Sequence, residues 1–162
     1  AWGVTWTGNL VGSALLGSLF VVGGGGVVLQ EGGQDLIHAL ATKKMSAPGA
    51  ELFARAILCN WLVCLAIWAS ARTTNDTAKC IIIFWCLFAF IATGFEHSVA
   101  NMTLFSVALL SEHPETVSVA GAARNLAWVT LGNTFSGAIL MGLGYWLAAG
   151  RSVMEEQDGG TG

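Results

Sequence analysis

Two ionisable residues stand side by side, Glu96 and His97, and with Asn101 they interrupt an otherwise apolar run from Cys80 to Leu110. An ionisable group in a lipid-embedded segment is costly, so it turns toward the bundle interior or a water-filled cavity and marks a pathway. A neutral imidazole offers one donor and one acceptor, and protonation adds a second donor and a positive charge. His97 is therefore the residue suited to meet a small anion; the plainer reading is a histidine hydrogen-bonded within the core as structural glue. Glu96 lies about 100° from it around a continuing helix. Two roles are open to it: a buried carboxyl that holds loose backbone N–H groups or an amide such as Asn60 or Asn133, which is the expectation, or a proton relay. Asn101 follows His97 by one helical turn, on the same face, where it either presents an amide to the same pathway or packs as glue. Phe90, just short of two turns before His97, is placed to pinch a narrow pore by dewetting, although most rings in such segments pack or face lipid.

Little else in the chain offers chemistry. Cys59, Cys64, Cys80 and Cys86 sit in apolar runs with no Cys-x-x-Cys pair, and read as packed thiols rather than metal or redox groups. The three histidines, His38, His97 and His113, are far apart in the sequence, so no ligand set for haem or a catalytic metal is visible. The expectation is a protein that is not an enzyme and needs no cofactor or metal.

The elements that must position these residues are membrane helices. Hydrophobic residues make up 54% of the 162 positions and charged residues 10%, against roughly 25% charged in a soluble domain. A net charge of -3 with seven scattered Lys and Arg residues excludes a nucleic-acid surface. No signal peptide is evident, and the chain starts almost directly in an apolar segment, so a fragment of a longer sequence is expected. With roughly 20 residues needed to cross a bilayer core of about 30 Å, spans are expected over 4–22 and 52–71. Gly23-Gly24-Gly25-Gly26 opens a polar connection to residue 50 that holds a short helix near 29–42. Arg72 to Asp76 forms a tight hairpin turn. As one helix the 80–110 run would measure about 46 Å, too long for one straight crossing. Thr93-Gly94 is the cheapest place for a break, so the expectation is a discontinuous element over 80–92 and 97–110. A loop around Pro114 leads to a last span over 125–148, with Tyr145 and Trp146 at an interface, and residues 151–162 are expected to form a disordered cytoplasmic tail. The basic residues do not decide orientation: Arg72, Lys79 and Arg151 fall on one side, Lys43, Lys44, Arg55 and Arg124 on or near the other.

A nine-residue echo joins the first span to the last. Gly8-Asn9-Leu10-Val11-Gly12-Ser13-Ala14-Leu15-Leu16 aligns without gaps on Gly132-Asn133-Thr134-Phe135-Ser136-Gly137-Ala138-Ile139-Leu140. Transporters are commonly built from repeated halves with broken helices at matching places, although small-residue packing faces look alike in any bundle.

Three segments resemble a known family. Gly94-Phe95-Glu96-His97-Ser98-Val99-Ala100-Asn101-Met102 resembles the signature of the formate/nitrite transporter family, and Asn60-Trp61-Leu62-Val63-Cys64-Leu65-Ala66-Ile67-Trp68 its other signature. Trp128-Val129-Thr130-Leu131-Gly132-Asn133-Thr134 is most similar to the nitrite channel branch. The resemblance covers the chain except its tail. It implies an all-α integral membrane protein: an aquaporin-like protomer of inverted repeats, five to a homopentamer, in which this chain supplies helices three to six and lacks counterparts of the first two. It also implies that His97 is the central pore histidine, Asn101 the nearby pore asparagine, Phe90 a ring at the inner constriction and Lys44 a vestibule lysine that attracts anions; spacing alone makes Lys44 a solvated loop charge.

The function expected is passage of a small monovalent anion, nitrite foremost, across a bacterial-type inner membrane, with or without proton coupling. Formate or hydrosulfide passage, or a structural membrane subunit with no pathway, are the alternatives.

Overall fold

The computed structural model describes residues 1–30 and 32–148; the expected tail lies outside them. Every regular element among the described residues is helical. Helix α1 covers Trp2–Val22, α2 Gly33–Ser46, α3 Gly49–Ala71, α4 Asp76–Ala92, α5 Ser98–Leu110 and α6 Val119–Phe135, which widens into a π-helical stretch over Ser136–Leu143. Among the described residues three helices are long and apolar enough to cross a membrane: Trp2–Val22, Gly49–Ala71 and Val119–Ala148.

Local chemistry sets the ends. Gly24, Gly25 and Gly26 all take positive φ, where a side chain would be strained, so α1 stops and the chain turns through a short 3₁₀ segment, Gly26–Leu29. Asn75 caps α4 by accepting from the Ala78 N–H, and Ser118 caps α6 by accepting from the Gly121 N–H. The Ser118 cap is why α6 starts at Val119 and not near residue 125: the first turn is anchored before the apolar run begins. Helix α2 likewise runs to Ser46, four residues past the expected end, and is stopped by extended Ala47 and Pro48. Lys43 and Lys44 thus fall in its last turn, where cations suit the helix dipole.

Helices α3 and α6 run parallel in close contact: Gly49 meets the Trp128 indole, Gly132 meets Ala56, and Trp68 stacks on Tyr145 with centroids 4.7 Å apart. Helix α1 runs parallel to α5, joined by the Thr103 hydroxyl donating to Ser13 Oγ at 3.1 Å and by the fit of Gly17 against Ser106. Helix α4 buries no residue and turns Ile81, Ile83, Phe84, Trp85 and Phe88 outward. Lipid is as apolar as these side chains, so small residues that let backbones approach, rather than hydrophobic burial, specify the packing.

Gly132 makes one of the two tightest of these approaches, and the one that meets backbone. A Cβ there would lie 2.6 Å from both Ala56 Cβ and the Phe53 carbonyl oxygen. Gly132→Val is expected to cost about 1–3 kcal/mol by overpacking and to lower the detergent-solubilised melting temperature by several degrees. An unchanged melting temperature would contradict this helix contact.

Candidate functional site

The site is built on the gap between α4 and α5. The Thr93 hydroxyl donates to the Ala89 carbonyl at 2.7 Å, Gly94 takes φ 69°, and the Phe95 N–H reaches back to the Phe90 carbonyl at 3.0 Å, closing α4. The chain then runs extended into α5, whose N-cap is His97 at φ -115° and ψ 122°. Unwound backbone inside a membrane protein must find partners for its polar groups; the Glu96 N–H donates to the Arg55 carbonyl of α3 at 3.5 Å, and Asn133 of α6 serves two further groups. Its Oδ1 accepts from the Ser98 N–H at 3.0 Å, and its Nδ2 donates to the Glu96 carbonyl at 3.0 Å and to the Ala56 carbonyl of α3 at 2.9 Å. Asn60 Nδ2 in turn donates to the Asn133 carbonyl at 2.7 Å. The two amides tie α3, α6 and the break together.

Glu96 and His97 part company here. Glu96 is 1% exposed. Its Oε2 receives Lys44 Nζ at 3.0 Å and Asn101 Nδ2 at 2.6 Å. Asn101 Nδ2 also donates to Asn125 Oδ1 at 2.9 Å, and Asn125 Nδ2 donates to the Lys44 carbonyl at 2.9 Å. The circuit Lys44–Glu96–Asn101–Asn125 returns to the residue it began on, and each buried polar group in it is partnered, as burial requires. The Glu96 carboxylate thus takes Lys44 and Asn101, whereas Asn133 holds the Glu96 backbone and Asn60 the Asn133 carbonyl.

His97 faces the other way. It lines a cleft of about 550 Å³ together with Trp2, Thr5, Trp6 and Asn9 of α1, Asn60 of α3, and Thr130, Asn133 and Thr134 of α6. Both asparagines of the nine-residue echo, Asn9 and Asn133, line this one cleft. His97 Nδ1 accepts from the Ala100 N–H at 3.3 Å. In the neutral ring the proton is then on Nε2, which is left as a donor. Phe90 stacks on the imidazole, centroids 5.8 Å apart and planes 20° apart.

Asn101 does not share the His97 cleft; it is 2% exposed and committed to Glu96 and Asn125. The one-turn rule assumes both residues are helical, and His97 is an extended N-cap, so its side chain leaves the backbone in another direction. Lys44, 18% exposed at its side chain, is no loop charge but an ion-pair partner. Asn125 and Arg124 complete this region without any signal in the sequence beyond polar residues opening an apolar run, because their partners lie about 80 positions away.

Residues 1–147 match the formate/nitrite transporter family. The chain belongs to that family. Among formate/nitrite transporter relatives it is similar to the nitrite transporter NirC of Escherichia coli (strain K12), 53% identical over 144 residues that cover 89% of this chain and 53% of that protein. The uncharacterized transporter YwcJ of Bacillus subtilis (strain 168) is 41% identical, with 90% of this chain and 56% of that protein covered. Among solved structures, an FNT family ion channel superposes with a TM-score of 0.84 at 51% identity, covering 90% of this chain and 57% of that one. A pentameric formate channel with formate bound superposes with a TM-score of 0.76 at 28% identity, covering 91% and 65%. The chain therefore spans about half the length of the curated relatives it matches.

Proposed function

We propose that the whole gene product passes a small monovalent anion, nitrite foremost, through a pore of which the His97 cleft is one wall, the facing wall being supplied from outside the described residues. The observation that carries this reading is the free Nε2–H of His97, held by the Ala100 bond to Nδ1 and braced by Phe90 in a cleft with no other titratable side chain among its lining residues. An anion that sheds water in such a place loses strong hydrogen bonds, and one fixed donor returns part of that cost. To give up a proton and remain a neutral ring, His97 would first have to be protonated at Nδ1 as well, and the Ala100 N–H would lose its acceptor. Hydrogen-bond donation to a passing anion is therefore the favoured mode over proton transfer.

Lys44 is balanced by Glu96. A neutral pair attracts anions over a shorter range than a free cation, so its larger part is to hold the Glu96 carboxylate and Asn101 behind the break. Support for nitrite comes from the 53% identity to a protein named as a nitrite transporter, with formate and hydrosulfide as the alternative cargoes. The same reading takes the assembly to be a homopentamer of aquaporin-like protomers with inverted repeats in a bacterial-type inner membrane, supported by the solved pentameric formate channel. The test is stopped-flow nitrite uptake into liposomes holding the whole gene product, with formate and hydrosulfide as competitors. Saturable nitrite uptake slowed least by the competitors is expected, and uptake no faster than in empty liposomes would refute the reading.

A further inference from the structure

The last carbonyls of a helix have no intrahelical donors, and at the end of α2 these groups lie directly beside Lys44. Asn125 takes the Lys44 carbonyl at 2.9 Å. Arg124 takes two more nearby: its Nη1 donates to the Met45 carbonyl at 3.3 Å and to the Ala47 carbonyl at 2.8 Å. Ala47 is extended and Pro48 has no N–H, so the backbone cannot close another turn there and a side chain must serve these oxygens. Among the described residues Lys44 pairs with Glu96, Arg55 with Glu51 and Lys79 with Asp76, while the hydrogen bonds of Arg124 go to carbonyls alone. One guanidinium nitrogen thus bridges two carbonyls while keeping a charge opposite the negative end of the helix dipole.

We propose that Arg124 is a positioning residue for the Lys44–Glu96 pair: by clamping the two-residue junction between α2 and α3 it fixes where Lys44 ends up, and so whether its ammonium meets the Glu96 carboxylate. Lysine is a long flexible chain whose contacts are lost readily when its backbone shifts. The clamp and the pair lie on neighbouring residues of one turn, so loosening one loosens the other. From Glu96 the effect passes to the next residue, His97, through the backbone that Asn133 and Ser98 hold. This inference rests on the reading that the pair behind His97 serves the anion pathway.

A double-mutant cycle in the whole gene product, with hydrogen exchange of the 42–47 segment followed by mass spectrometry, tests both parts. Arg124→Gln is expected to speed exchange in that segment and to lower nitrite flux per folded protein by about tenfold, the worth of one charge-assisted hydrogen bond. Combined with Lys44→Met it is expected to lower flux no further than Lys44→Met alone, because both act through one contact. Arg124→Lys, which keeps the charge but not the reach and planar geometry of the guanidinium, is expected to move exchange and flux the same way by less, and carries the test if the Gln variant does not fold. Exchange at the native rate in both variants, or flux losses that multiply in the double variant, would overturn the clamp. Faster exchange with native flux in both Arg124→Gln and Lys44→Met would instead remove the pathway role of the pair, and the proposal with it.

Discussion

Asparagine in place of His97 is expected to lower nitrite flux through the whole gene product by roughly ten- to a hundredfold, the range that loss of one hydrogen bond to a charged group allows, while the protein stays folded. The choice of asparagine separates two jobs. His97 caps α5 by accepting from the Ala100 N–H, and asparagine is among the best N-cap residues, so α5 keeps its first turn. What asparagine cannot replace is the ring: the donor on Nε2, its stacking on Phe90 and its ability to change charge. Any dependence of flux on pH that arises from this ring is expected to vanish with it. His97→Phe is the stricter partner experiment. It keeps an aromatic plane against Phe90 but removes cap and donor together, and is expected to lower both flux and the melting temperature. Flux and pH dependence that match the native protein in the Asn variant would mean that His97 caps a helix and nothing more.

The second large effect concerns stability. Glu96→Ala is expected to destabilise the protein by about 3–5 kcal/mol, because it strands the Lys44 ammonium in a nearly closed site and leaves one Asn101 donor without its acceptor. The double variant Glu96→Gln with Lys44→Met is expected to recover most of that loss. Removing both charges abolishes the desolvation penalty of each, and the glutamine amide oxygen still accepts from Asn101. The order of melting temperatures, native and double variant above Glu96→Ala, is the result to look for in detergent-solubilised protein. A single variant as stable as the double one would show that Lys44 finds water by extending along its 18% exposed path and that the pair contributes little.

How much of this could be read from the chain depended on whether the signal was local. The break was legible because a length limit and a glycine coincide: an apolar run too long for one crossing contains Gly94, and the structure ends α4 at Ala92 and opens α5 at Ser98. The importance of asparagines near the break was legible too, since an amide in an apolar helix must bond to something. Which partner each amide takes was not. Asn133 serves backbone groups from two other elements, and Asn101 turns away from His97, because the helical phase that relates residues four apart begins only after the N-cap. By spacing Lys44 reads as a solvated charge, and only the family resemblance raises it. Its real setting depends on α2 continuing to Ser46 and on Asn125, which bonds to its carbonyl from 81 positions away. Periodicity holds no record of contacts at that separation.

The claim on which everything else rests is that the Nε2–H of His97 is the group that meets the anion. Nitrogen-15 NMR of the whole gene product with labelled histidine, titrated with nitrite in lipid, tests it directly. The Nε2 resonance of His97 is expected to shift as nitrite binds while Nδ1 keeps the signature of an unprotonated acceptor, and a His97 ring whose two nitrogens are both unmoved at saturating nitrite would contradict the account.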